Sequence, residues 1–327
     1  MDFRLDEEQL ELQETARRFC AARFELQGNA RREGLPIDRA TWREMAELGV
    51  FALLLPEAGG GLDLGVVEAA IVFEQLGAHL VSGPLLWSTL AAAYVEGAAS
   101  GDRIVGGVEP TGGNAGPVLV EHAAEIDSLL ILRTDGVFVC ARSGLPSFTP
   151  LTPFDPLTPI GRCDALPSGI QVGNELDACH LRRVGTVLGA AMLLGISESA
   201  LESSRRYALD REQFGVPIGS FQAVQHLLAD MYVRTALARS ATYAAAAVLD
   251  DPGVGDPLRA SAAAKLLAGE AALENARTAI QVHGGIGFTW EMLPHHFLKR
   301  AWVLEHSFGD ADSHAFAIGA SIEETLA

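Results

Sequence analysis

Residues 211–231 read Arg211-Glu212-Gln213-Phe214-Gly215-Val216-Pro217-Ile218-Gly219-Ser220-Phe221-Gln222-Ala223-Val224-Gln225-His226-Leu227-Leu228-Ala229-Asp230-Met231, and the rest of the chain is organised around them. Upstream, the pattern is helical from Val184 onward, with Gly185, Gly189, Ala190, Ala191 and Gly195 letting a neighbouring helix come close. Glu202–Leu209 carries that helix to the edge of the stretch. Downstream, the alanine-rich segments Ala236–Ala247 and Ala260–Ala279 predict two more long helices, separated by the loop Asp251-Pro252-Gly253. The second helix runs into Gln281-Val282-His283-Gly284-Gly285-Ile286-Gly287-Phe288.

Toward the N-terminus the chain is also helical. Asp6 and Gln9 have the spacing of a capping box, and Leu12, Ala16 and Phe19 form one apolar stripe. A second helical segment spans Asp38 to Leu48. Pro56-Glu57-Ala58-Gly59-Gly60-Gly61 then breaks the pattern, which resumes from Val66 to about Ala98. That glycine cluster is a turn and not a dinucleotide fingerprint, because no strand feeds it and its spacing is wrong. Between about Gly101 and His180 the texture changes. Val118-Leu119-Val120, Leu129–Leu132 and Val137-Phe138-Val139-Cys140 are short β-prone runs, and Asp135-Gly136 between the last two predicts a type I′ hairpin turn. Pro146, Pro150, Pro153, Pro156 and Pro159 exclude helix from the segment they punctuate. The expected fold class is therefore mainly α with a small β-domain: residues 1–100 helical, 101–180 a reduced β-domain, and 181–327 a C-terminal helical bundle.

With 24 basic and 42 acidic residues, the formal charge of −18 argues against a nucleic-acid surface. The opening Met-Asp-Phe-Arg-Leu-Asp-Glu-Glu has no basic leader followed by an apolar run, so no signal peptide is expected. The apolar stretch Val184–Ile196 is too short to span a bilayer, so no membrane span is expected either. Cys20, Cys140, Cys163 and Cys179 have no metal or redox spacing and read as core residues in a reducing, cytoplasmic setting. His295, His296, His306 and His314, with Asp310 and Asp312, lack a tight ligand pattern and read as solvated helix-surface residues rather than a metal site.

The 211–231 and 281–288 motifs, in this order and spacing, resemble the signatures of the acyl-CoA dehydrogenases. The resemblance extends over nearly the whole chain and is specific from about Tyr207 to Phe288. It implies FAD as cofactor, an acyl-CoA substrate, α,β-desaturation and a tetramer whose flavins lie between subunits. It also implies that Arg211, Gln213, Phe214, Phe221, Gln222, Gln281, Gly284 and Gly285 hold the adenosine diphosphate half of a neighbour's FAD. The residue types suit that task. Arginine bonds a pyrophosphate bidentately, glutamines add neutral donors, phenylalanine offers an apolar face, and a Gly-Gly pair lets backbone N–H groups approach an anion. His283 reads equally as a cofactor contact or as a structural hydrogen-bonding group.

The same resemblance exposes two gaps. Desaturation needs a carboxylate to remove the α-proton. Counted without gaps from Gln281, the family's base position falls on Phe308, and the alternative position on the preceding helix falls on Gly185. Neither accepts a proton, so no catalytic residue is assigned; Glu305 and Asp310 flank Phe308 and become bases only after a register shift. Between Gly101 and His180 the chain also lacks the Thr-Glu-Pro-x-x-Gly-Ser-Asp-like loop and the Trp-Ile-Thr-like strand that cover the flavin ring in the family. This pattern resembles the small, non-catalytic subunit of heteromeric acyl-CoA dehydrogenases of the steroid side-chain or pimeloyl-CoA type. It implies an α2β2 assembly with a homologous catalytic subunit, and electron-transfer flavoprotein as acceptor. The alternatives are a self-associating homotetramer using Glu305 or Asp310, and a flavin-free scaffold.

Overall fold

The computed structural model describes residues 5–24, 26, 37–110 and 117–326. Met1–Arg4, part of the stretch read as lacking a leader, and residues 111–116 of the expected β-domain lie outside the described residues. Helices come first: α1 (Glu7–Arg23), α2 (Arg39–Glu47), α3 (Val66–Ala78) and the short α4 (Leu85–Leu90). Seven strands follow: β1 (Val105–Val108), β2 (Val118–Glu121), β3 (Ser128–Arg133), β4 (Gly136–Ala141), β5 (Thr149–Leu151), β6 (Ile160–Cys163) and β7 (Ile170–Gly173). Then come α5 (Glu175–Asp210), the short strands β8 (Glu212–Gln213) and β9 (Val216–Pro217), α6 (Gln222–Asp250), α7 (Pro257–His283), α8 (Pro294–His306) and α9 (Ala311–Leu326).

Compactness groups these elements into two units, each drawing on more than one of the three stretches read in chain order. One unit comprises Arg32–Ala69 and Ser82–Gly185; the other comprises Met1–Arg31, Ala70–Val81 and Thr186–Ala327. In the first, β1-β3-β4-β7 form a mixed sheet and β2-β6-β5 an antiparallel one. Its core includes the stacked rings of Trp42 and Phe51, 4.5 Å apart. Trp87 crosses β1 so closely that a Cβ on Gly107 would lie 1.9 Å from the indole, so only glycine fits there. The expected hairpin is present with its turn one residue early. Arg133 pairs with Gly136, leaving Thr134 and Asp135 as the turn, and Asp135 is not at positive φ; Gly136, at φ 154°, opens the return strand. Strand pairing, which continues to Arg133, sets the register and overrides the local Asp-Gly preference.

The helical unit is arranged around α7, which packs against α6, α8 and α9. Asp6 and Gln9 form the expected capping box on α1, and Ala16 and Cys20 face inward. Helices α3 and α5 cross in backbone contact: a Cβ on Gly195 would sit 2.0 Å from the Glu74 carbonyl oxygen, and one on Gly77 2.1 Å from that of Met192. A buried polar hub fixes the register of α5, α6 and α7. Asn275 Nδ2 donates to Ser197 Oγ at 2.8 Å, to Thr235 Oγ1 at 2.9 Å and to the Met231 carbonyl at 3.0 Å. A hub with its donors satisfied specifies one alignment of three otherwise alanine-rich surfaces. Nearby, buried Glu74 accepts from Arg239 at 2.7 Å and from the Tyr243 hydroxyl at 2.7 Å. The stretch Val184–Ile196, read as too short for a bilayer, belongs to the longer α5, which is long and apolar enough to cross one. Because 83% of its most apolar window is buried inside the protein, α5 is a core helix.

Candidate functional site

Helix α5 ends at Asp210, and the chain turns back at once. β8 and β9 pair as a minimal hairpin, Glu212 with Pro217 and Gln213 with Val216, so its two-residue turn is Phe214-Gly215. Both turn residues have positive φ, 56° and 81°, as a type I′ turn requires. Glycine adopts this conformation freely; a bulky phenylalanine does so at a cost. The ring gains no internal burial in return, since Phe214 is 94% exposed, with Phe221 edge-on at 6.1 Å. Arg211 and Gln222 are exposed, and among the described residues no side-chain partner is recorded for either. Gln213 is also exposed, and among the described residues its amide donates to its neighbour's carbonyl, Glu212 O, at 2.6 Å.

The second motif ends α7. His283 is the last helical residue and Gly284 follows at φ 65°, ψ −146°, a conformation that in practice requires glycine. A Cβ on Gly284 or Gly285 would meet nothing within 4 Å, so their backbone faces open space. Gln281 is exposed, again with no recorded side-chain partner among the described residues, and Phe288 and Trp290 beyond the turn are exposed as well. Lys299 Nζ lies 4.1 Å from the Trp290 ring centroid. The two motifs belong to the same helical unit, and just ahead of the first of them the Tyr207 ring stacks on that of His283 at 4.2 Å. His283 is buried, and its Nδ1–H donates to the Ala279 carbonyl at 2.7 Å. Burial lowers its pKa, against the opposing pull of that bond, and the bond itself gives the ring a structural partner. The resulting surface offers one guanidinium, three amides and a bare glycine turn, a donor set that fits a diphosphate arm.

The base position is built in the opposite way. Phe308 is buried, 6% exposed, in the turn between α8 and α9, and Phe308 and Gly309 have positive φ, 58° and 93°. Lys265, buried in α7, donates to the carbonyls of Glu305, Ser307 and Gly309 at 2.7, 2.8 and 2.9 Å. His314 Nε2–H donates to the Phe308 carbonyl at 3.0 Å. Both flanking carboxylates cap α9: Glu305 Oε1 accepts from Ala311 N–H at 2.8 Å, and Asp310 Oδ1 from Ser313 N–H at 2.9 Å. The Ser313 hydroxyl and N–H bonds hold the Asp310 carboxyl below the usual carboxylate range. Gly185 lies within α5. Among the histidines, the reading as solvated surface fails for His295 and His296, which are 5% and 1% exposed. They belong to the buried face of α8, and His295 Nε2–H donates to the Thr289 carbonyl at 3.0 Å. His306 is exposed.

Residues 6–99 match the acyl-CoA dehydrogenase N-terminal domain and residues 183–322 the acyl-CoA dehydrogenase C-terminal domain. Acyl-CoA dehydrogenase IpdE2 of Mycobacterium tuberculosis is 34% identical over 81% of this chain and 80% of its own length. One chain of the ChsE4-ChsE5 complex from the same organism superposes with a TM-score of 0.84 at 27% identity, covering 99% of both chains. A chain of the Tcur3481-Tcur3483 steroid ACAD superposes at 0.83 with 25% identity, covering 98% of this chain and 99% of that one. The chain belongs to the acyl-CoA dehydrogenase family. It is therefore an oxidoreductase of the acyl-CoA dehydrogenase class, and solved FAD complexes share its fold.

Proposed function

We propose that this chain is the non-catalytic subunit of a heteromeric acyl-CoA dehydrogenase, completing the FAD site of a homologous catalytic partner in an α2β2 assembly. The observation that carries this reading is Phe308. At the family's base position it presents a buried hydrocarbon ring, while the nearest carboxylates, Glu305 and Asp310, are committed to capping α9. For Asp310 the Ser313 bonds also stabilise the ionised form, which makes it a weaker base. When bound, FAD supplies the hydride acceptor for α,β-desaturation. The work of this chain is to hold the cofactor's far end. Arg211 would pair with the diphosphate, Gln213, Gln222 and Gln281 would donate to its oxygens or to the adenosine, Phe214 and Phe221 would cover its apolar faces, and Gly284-Gly285 would let backbone N–H groups close on it.

The two paired relatives, ChsE4-ChsE5 and Tcur3481-Tcur3483, support the subunit role, and the second, a steroid ACAD, supports a steroid-type acyl-CoA as substrate class. Electron-transfer flavoprotein is the proposed acceptor and the cytoplasm the proposed location, the latter in keeping with four free cysteines. Reconstitution tests the reading. Mixed with a homologous subunit that carries glutamate at the base position, the chain should support acyl-CoA oxidation, and removing that glutamate should abolish it. Turnover by this chain alone at a comparable rate would overturn the proposal and return Glu305 and Asp310 to consideration.

A further inference from the structure

The two FAD-facing motifs are separate in sequence, and each starts from the end of a different helix. Tyr207 lies in the last turn of α5, and its carbonyl accepts the Arg211 N–H at 2.8 Å, so it sets where Arg211 leaves the helix. The hairpin folds back onto the same turn: the Ile218 N–H donates to the Arg211 carbonyl at 2.8 Å, and a Cβ on Gly219 would sit 2.9 Å from the Ala208 carbonyl oxygen. His283 ends α7, and a Cβ on Gly287 would lie 3.1 Å from its Cβ. The rings of Tyr207 and His283 are 4.2 Å apart with 21° between their planes, and the bond from His283 Nδ1–H to Ala279 prevents the imidazole from turning.

We infer that Tyr207 and His283 are positioning residues, and that their stack sets the spacing between the Arg211 hairpin and the Gly284 turn so that both reach one diphosphate arm. Neither ring has to touch the cofactor. Flat rings in an offset stack tolerate little sliding without losing contact, whereas flexible aliphatic side chains at the same places would let the two helix ends drift. The inference rests on reading the two motifs as an FAD clasp.

A double-mutant cycle read as FAD affinity tests it, in the full-length chain within its FAD-binding assembly, stripped of flavin and titrated with FAD. Tyr207→Leu and His283→Leu should each weaken binding about five- to tenfold, the range an aromatic pair supports, and Tyr207→Phe should stay within about twofold of wild type. The double variant should bind no more weakly than the worse single one, because the stack can be lost only once. Melting temperature should fall by no more than the loss of one aromatic pair accounts for, and assembly mass should not change. Unaltered affinity in Tyr207→Leu alongside a loss in Arg211→Ala would overturn the inference and leave the clasp intact. Additive losses, or losses that follow melting temperature or mass, would overturn it as well. Unaltered affinity in Arg211→Ala would sink the clasp reading itself, and this inference with it.

Discussion

The molecule contains two Phe-Gly pairs in which both residues have positive φ, Phe214-Gly215 and Phe308-Gly309, and their surroundings are opposite. The first stands out in solvent with its ring 94% exposed; the second is 6% exposed. Around Phe308, a buried lysine, a histidine and two carboxylates satisfy the backbone from within the chain. Around Phe214, one edge-on ring is the neighbour, and Arg211 and Gln222 have no recorded side-chain partner among the described residues. Left-handed backbone costs a bulky residue about 1–3 kcal/mol unless its surroundings compensate. At Phe308 the protein compensates itself. At Phe214 the two-residue hairpin turn imposes the conformation and leaves the ring in solvent, the arrangement expected of the proposed cofactor-holding surface.

The sharpest way to break the comparison is to remove the internal support. Lys265→Met should destabilise the chain by about 3 kcal/mol in urea unfolding, since three carbonyls lose a charged donor. A change under about 0.5 kcal/mol, the size expected at an ordinary surface site, would mean the Phe308 turn is not held by this lysine. Next in size, Phe214→Asn should stabilise the chain by about 1 kcal/mol, because asparagine tolerates positive φ. The same change should weaken FAD binding in the assembly. Stability that falls instead would show that the exposed ring has support from within the chain.

The smallest effect is on pH. His79, His283, His295 and His314 are all held below the ordinary histidine value of 6.5, burial being the largest cause in each. Below 6.5 the unfolded chain therefore binds more protons than the folded one, and stability falls with falling pH down to the lower folded values. Above 6.5 their contribution is fully present. Thermal melts should show a plateau above that pH and a decline beneath it, and His314→Gln should shrink the decline. A melting temperature that stays flat from neutral pH to about pH 5.5 would contradict the assignment.

Much of this was legible in the residues. Asp6 with Gln9, Asp38, and the break at Asp251-Pro252-Gly253 mark helix ends through local chemistry, and the structure has helix boundaries at or beside each. The residues proposed to hold the cofactor form a pattern that is legible in the sequence. The positive φ of Phe214 was not, because no propensity favours phenylalanine there and the hairpin imposes it. The buried faces of His295 and His296 were missed because charge and polarity outweighed their position on the inner stripe of α8. Lys265 left one usable signal: it falls between Ala262 and Ala268 on the buried stripe of α7, where a lysine needs internal acceptors. Tyr207 left no comparable signal, since its partner lies 76 positions away and is set by tertiary packing.

The central claim is that this chain holds the far end of a flavin whose chemistry belongs to another subunit. Flavin content per chain, measured by visible absorbance after saturation with FAD and removal of the excess, tests it most directly. Little or no flavin is expected on the chain purified alone, and retained flavin once a catalytic homologue is added. About one flavin per chain without any partner would contradict it.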